Sequence, residues 1–380
     1  MKFKITSLFI CVLLTLSSAV ANDTPMIEYE QYSLANGLRV VVHTDKNAPI
    51  VAVNVWYHVG SKDEPQGKSG FAHLFEHLMF NGSENYDDDF FKPLQEIGAS
   101  RINGTTSRDR TNYYQTVPVG GLDRILWMES DRMGHLLGAI AEEKLVEQRD
   151  VVKNEKREGE NQPGGTLYSR IYEGVYPIDH PYHHSTIGSM DDLDNASLED
   201  VKAWFTEYYG PNNAVIVLSG DIDVDRSKEL VEKYFGDIPA GQPLSQKKSW
   251  VPIHETNRYE VMEDHVPQTH LTWSWAVPGR TSKDFAELEV AAAVFGGGRN
   301  SRLYKNLVHE QEHLNSASAS LIPGELSGIF MITAELKYGE TAEEMTEVVE
   351  NMFAEFLEDG PTTKVFFHQR AQPRKIIHRK

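Results

Sequence analysis

The sequence predicts an α+β protein of two related domains, each an antiparallel-rich sheet packed with helices, the second of them incomplete. Three observations carry this reading. Short β-branched runs are segregated from long helical patterns rather than alternating with them one for one. A Pro-, Gly- and Lys-containing stretch, Pro239–Ile253, separates two parts in which the order of elements partly repeats. The 380 residues, 40% hydrophobic and 24% charged, have ordinary globular composition and enough length for two cores.

At the N-terminus, Met1-Lys2-Phe3-Lys4 is basic, Ile5–Leu16 is mostly apolar, and Ala19-Val20-Ala21 has the small-x-small form of a signal-peptidase site. Residues 1–21 are therefore expected to be a signal peptide. Its apolar run is too short to span a bilayer, and no later stretch reaches about 18 apolar residues, so no membrane span is expected. The only cysteine, Cys11, lies inside this segment, which leaves the mature chain without disulfides. An exported chain of that kind fits a bacterial periplasm, or secretion.

In the first domain, expected over 22–238, Arg39–His43 and Ile50–Val59 read as strands, and Asn36-Gly37 as the turn after Tyr32–Leu34. A helix over Phe71–Phe80 follows, then a helix ending near Ile97-Gly98 and strands over Ser100–Thr106 and Thr111–Val117. Helical patterns cover Leu122–Leu137 and Glu142–Glu158. Ser197-Leu-Glu-Asp200 is a capping-box start for a helix to Tyr209. Asn213–Ser219 then reads as a buried strand. A linker is placed at 239–256. The second domain, 257–360, offers strands at His270–Val277 and Gly328–Leu336 and helices at Asp284–Phe295, from Ser301, and at Glu340–Leu357. Pro361–Lys380 changes character, with six Lys or Arg and no acid, and is read as an atypical basic tail.

The formal charge of −19 becomes −21 once Lys2 and Lys4 leave with the signal. Such an acidic chain is a poor partner for nucleic acid. It tilts mildly toward basic peptides.

The chemistry concentrates in Phe71-Ala-His73-Leu-Phe-Glu76-His77-Leu-Met-Phe80, where only His73, Glu76 and His77 are not apolar. An apolar helix marks a buried element, and unpartnered polar groups there cost roughly 2–7 kcal/mol each. A metal ion supplies the partner. His73 and His77, four apart, project from one helical face and grip one ion, while Glu76 stands beside it free to move a proton. Hydrolytic zinc sites take three protein ligands and leave one position open. Glu155 is the best third ligand, on a helix where Gln148, Val151, Val152 and Glu155 share a face and Gln148 becomes an outer neighbour of the ligand. Glu147 and Glu158 are the alternatives. One zinc ion per chain is expected. His180, His183 and His184 read as a structural loop because Pro181 breaks helical spacing, Asp87–Asp89 as a solvated helix start, and Gly296–Gly298 as a helix break without P-loop spacing.

Taken together, His73-Leu-Phe-Glu-His77, Gln148–Glu155, Asn103-Gly-Thr-Thr-Ser-Arg-Asp-Arg-Thr-Asn-Tyr113, His180-Pro-Tyr182, Tyr209-Gly-Pro-Asn-Asn213 and Gly297-Gly-Arg-Asn-Ser-Arg-Leu-Tyr304 resemble the pitrilysin/insulinase family of zinc peptidases, the inverzincins, over about residues 27–360. The chain is similar to the N-terminal half of a long bacterial member. The resemblance implies that His73, His77 and Glu155 bind zinc, that Glu76 is the base, and that Asn103, Gly104 and Thr105 hold the peptide substrate as an added β-strand. Three departures stand out. Gln148 replaces a glutamate found in many relatives. The positions of an Arg and a Tyr that position substrate in active relatives are His309 and Ser316, and the second domain is short. The expected function is hydrolysis of peptides or unfolded segments by a zinc endopeptidase. The alternative is a catalytically weak zinc-binding half that binds peptides or needs a partner subunit or a second half to close its chamber.

Overall fold

The computed structural model describes residues 27–360, so the expected signal peptide and basic tail lie outside the described residues. Strands β1 (Glu30–Ser33), β2 (Arg39–Thr44) and β3 (Ile50–Tyr57) are followed by helices α1 (Phe71–Leu78) and α2 (Phe91–Glu96) and by the hairpin β4 (Ser100–Thr106) and β5 (Thr111–Pro118). Helices α3 (Leu122–Gly134), α4 (Glu142–Glu160), α5 (Leu167–Val175), α6 (Met190–Asp194) and α7 (Leu198–Tyr208) lead to β6 (Ala214–Gly220) and α8 (Val224–Phe235). After a stretch without helix or strand over 239–269 come β7 (His270–Val277), α9 (Phe285–Gly296), a π-helical turn at Tyr304–Glu310, β8 (Leu314–Ile322), β9 (Gly328–Leu336) and α10 (Ala342–Asp359).

Period-two alternation builds the first sheet. Val51, Val53, Val55 and Tyr57 of β3 point inward, as do Val40 and Val42 of β2 and Ile216 and Leu218 of β6, and all are buried. The strand order is β1-β2-β6-β3-β5-β4. Its pairs are antiparallel except β2 with β6, which run parallel, so the antiparallel-rich sheet is a mixed one. Helices α1, α3, α7 and α8 cover its inner face through Leu74, Phe75, Leu126, Trp204 and Val231. Ser197 caps α7 in the expected box with Asp200.

The second sheet, β7-β9-β8, is antiparallel throughout. One face packs on α9 and α10 through Phe295, Ile332, Val349 and Phe356. Its other face meets the first domain, where Ile171, Val175, Tyr176 and Tyr182 pack on Leu326, Ile329 and Met331. The two domains thus share a small apolar core of their own. Four elements were not expected from the sequence: α5, α6, α8 and β8. The helix expected from Ser301 takes π-helical form.

Candidate metal centre

Helix α1 starts at Gly70, whose φ of 90° suits glycine and whose Cβ, if present, would stand 2.5 Å from the Ile187 carbonyl. Buried Glu64 closes the helix start by accepting from the main-chain N–H groups of Gly70 at 3.1 Å and Ala72 at 2.7 Å. Phe71, Leu74, Phe75 and Leu78 anchor the helix in the core. His73 and His77 emerge together on the remaining side toward α4, their side chains only 20% and 19% exposed, while Glu155 opposite is 45% exposed. His73, His77 and Glu155 therefore lie at the rim of the core.

Nε2 of His73 and of His77 stand 3.8 and 3.5 Å from Glu155 Oε2. One ligand atom from each of these residues lies within 4.8 Å of the other two. A tetrahedral zinc with bonds of about 2.0–2.2 Å sets neighbouring donors roughly 3.5 Å apart, so the donor set fits that ion. Burial, with His77 beside it, lowers the His73 pKa to about 4, which keeps the ring neutral and able to donate a lone pair at pH 7. Glu147 and Glu158, the alternative ligands, are outside this group among the described residues. Gln148 shares the helical face of Glu155 two turns away but makes no side-chain hydrogen bond to any of the three.

Glu76 is buried, and burial pushes its carboxyl up to about 7 against the opposing pull of a hydrogen bond from Thr106 and of the Arg110 charge. Thr106 Oγ1 donates to Glu76 Oε2 at 2.5 Å. Gly104 closes over the other oxygen: a Cβ there would stand 2.7 Å from Glu76 Oε1 and 2.9 Å from the Phe80 ring. β4 is an edge strand, with Arg101 at φ 53° and a register shift between Ser100 and Asn103 bending it beside α1. Gly104 and Thr106 face α1, whereas the Thr105 side chain turns to the open face of the sheet, 2.6 Å from Asn112 Oδ1. Asn103, by strand alternation, shares that open face. The Thr105 side chain therefore turns away from Glu76, and Gly104 lies against that carboxylate with main chain alone. Thr106 was not singled out from the sequence; alternation from Gly104 is the signal that points to it.

The other clusters are structural. His180 is buried, stacked on Tyr176 at 4.4 Å and bonded to the Trp250 carbonyl at 3.0 Å. Asp89 caps the Phe91 N–H at 2.8 Å. His309 lies on the π-helical turn, and Ser316 on β8 bonds Glu335 at 3.2 Å. No helix among the described residues is long and apolar enough to cross a membrane.

Comparison with known proteins identifies the family. Residues 39–181 match the family described as Insulinase (Peptidase family M16), and residues 195–372 match its Peptidase M16 inactive domain. The second match begins ahead of β6, a strand the first sheet holds between β2 and β3. The zinc protease PqqE of Helicobacter pylori is 30% identical over 331 residues, 85% of this chain and 73% of that protein. A crystal structure of a protease from Helicobacter pylori superposes with a TM-score of 0.77 at 29% identity, covering 91% of this chain and 85% of that one. Pitrilysin shares the fold at a TM-score of 0.76 and 19% identity, with 94% of this chain matching 40% of pitrilysin. The chain belongs to the M16 insulinase family of zinc proteases, with an active-type domain followed by an inactive-type domain.

Proposed function

We propose that this chain is a zinc-dependent endopeptidase acting on peptides or unfolded polypeptide segments, with His73, His77 and Glu155 holding one zinc ion and Glu76 as the base. The observation that carries the reading is the convergence of two neutral-capable imidazoles and a carboxylate beside a separately held, buried glutamate. Zinc at such a site supplies Lewis acidity, which polarises a carbonyl and makes water a stronger acid.

The chain's own residues supply the rest. Thr106 fixes Oε2 of Glu76, leaving Oε1 to take a proton from the attacking water and to return it to the leaving amine. Protonation is easy because burial has already raised this carboxyl to about 7. The antiparallel ladder puts Ser107 and Arg110 in a hydrogen-bonded pair, so Gly104 and Thr106 present their main-chain groups on the outer edge of β4. A peptide added along that edge lies across Glu76. Export to a periplasm or beyond belongs to the same reading, resting on residues 1–21.

Replacing Glu76 with Gln tests the assignment: zinc content stays, and hydrolysis of an unstructured peptide is lost. Hydrolysis that survives would remove Glu76 from its role. A second reading has support in the exposure of Glu155 and in His309 and Ser316: a weak half that binds peptides or needs a partner to cover its cleft. Chelator-sensitive cleavage by the purified chain alone rules that reading out.

A further inference from the structure

Arg110, on the turn between β4 and β5, is a cation that no carboxylate pairs with among the described residues. Its Nη1 donates to the Thr105 carbonyl at 2.7 Å, to Asn112 Oδ1 at 2.7 Å and to the Thr105 hydroxyl, all neutral oxygens. Its guanidinium lies 5.4 Å over the Trp56 ring. Asn112 in turn is fixed by Asn54 at 3.0 Å. Arg110 forms no ion pair among the described residues, although both Glu76 and Arg280 are close enough to act on its charge. Arg280 comes from the second domain and is tied to Glu325.

A half-buried, unpaired guanidinium held rigidly by neutral acceptors is costly unless it has work elsewhere. Two features say where. The bonds in place use Nη1 alone, so Nη2 and Nε keep donors in the fork that suits a carboxylate. The guanidinium also sits over Thr105, on the open face of the edge strand, where alternate side chains of an added β-strand project. In a chain of net charge −19 such a local positive spot stands against the general field.

Resting on the peptidase reading above, we propose that Arg110, backed by Arg280, is a specificity-determining residue that binds a carboxylate of the peptide substrate within a few residues of the scissile bond. The carboxylate comes from an Asp or Glu side chain or from the peptide's C-terminus. Arg280 adds positive potential from the second domain, so the preference depends on both domains.

The test uses the full zinc-loaded chain and peptides that differ only by Glu or Gln, scanned across three positions on either side of the cleaved bond. Each is made with an amidated and with a free C-terminus. kcat/KM is measured on the wild type, and binding by fluorescence anisotropy on the Glu76→Gln variant, which reads recognition without turnover. At one position the Glu peptide is expected to be favoured about tenfold, mainly through KM, as one charge-assisted pair provides. Arg110→Gln removes the ratio, Arg110→Lys keeps part of it, and Arg280→Gln weakens it. A ratio seen only between free and amidated ends assigns the carboxylate to the C-terminus. If Arg110→Gln slows Glu and Gln peptides equally, Arg110 only supports Glu76 and the proposal is overturned. Equal treatment of all peptides by the wild type overturns it while leaving the peptidase reading intact, whereas no binding and no cleavage of any peptide defeats that reading itself.

Discussion

Glu325, on the turn between β8 and β9, accepts a hydrogen bond from Lys62 Nζ at 2.7 Å, and through this pair the second domain grips the first. His58 Nε2 reaches the same carboxylate oxygen at 2.7 Å, and Arg280 holds the other. The Glu325 N–H donates to Asp109 Oδ2 at 3.1 Å and to the Tyr182 hydroxyl at 2.8 Å. Lys62, Asp109 and Tyr182 are all buried. Asp109 lies three residues beyond Thr106, so the latch ends in the hairpin that also holds Glu76. A buried polar network of this kind fixes one arrangement of two surfaces better than apolar contact alone.

Burial alone would raise the Glu325 carboxyl, but hydrogen bonds from His58 and Lys62 and their charges hold it far below its ordinary value of 4.5. The ionised form therefore stabilises the folded chain. That contribution is complete above pH 4.5 and is lost as the pH falls from there toward the depressed folded value. Comparing urea unfolding at pH 7 and pH 3, Glu325→Gln should be less stable than the wild type by about 1–2 kcal/mol at pH 7, with a visibly smaller gap at pH 3. A gap that persists unchanged at pH 3 would mean that the charge is not what Glu325 contributes.

Gly104 offers a sharper probe of the cleft. A methyl group there would stand 2.7 Å from Glu76 Oε1, too close to tolerate without moving the carboxylate or the strand. Gly104→Ala should bind zinc normally, because the atoms nearest its added methyl belong to Glu76 and Phe80 rather than to His73, His77 or Glu155, and lose turnover by about a hundredfold through misplacement of the base. Titration of metal content alongside kcat checks both halves of that expectation.

Much of this was legible in the chain, and the failures have identifiable causes. His73, Glu76 and His77 stood out because they interrupt an apolar run, and β4 and β9 were bounded correctly because their flanks carry turn residues. β8 was missed because Leu-Asn-Ser-Ala-Ser-Ala-Ser-Leu-Ile alternates small residues with small residues: Ala317 and Ala319 point inward, Ser316 and Ser318 outward. The cause of that smallness is α9, whose Gly296 would place a Cβ 2.0 Å from the Ala319 nitrogen. Close helix-on-sheet approach removed the large apolar side chains that make a strand readable. The insertion of β6 between β2 and β3 is a pairing across about 170 residues of chain, which no local pattern encodes. Arg110 was equally hidden, since its meaning lies in the carboxylates it lacks.

The ligand set predicts a specific metal titration. Calorimetry should find one zinc per chain, with Glu155→Gln and His77→Ala each weakening binding more than about tenfold. Glu147→Gln and Glu158→Gln, outside the converging group, should leave it unchanged. Zinc in hundredfold excess over the wild-type dissociation constant should add about 2.7 kcal/mol to the stability of the wild type and at most about 1.4 kcal/mol to Glu155→Gln. Unchanged affinity in Glu155→Gln, with a loss in Glu158→Gln, would move the third ligand one helical turn along α4.

Near the end of α1, Glu129 and Arg132 form an ion pair that is 0% and 1% exposed, with bonds of 2.8 and 2.6 Å. Gln115 adds a third bond to Glu129 at 2.9 Å, and the guanidinium lies 4.0 Å over Phe90 and 4.3 Å over Tyr113. Phe80, just past α1, is 5.5 Å from the same group. Removing one charge strands the other in the core, so Glu129→Gln should cost about 3–5 kcal/mol in urea unfolding. Desolvation of the pair offsets most of its Coulomb attraction, so exchanging both partners together for Leu and Met, Glu129→Leu with Arg132→Met, should cost less than Glu129→Gln alone. A double variant worse than the single one would show that the stacked guanidinium itself, through Phe90 and Tyr113, supports the wall against which α1 packs.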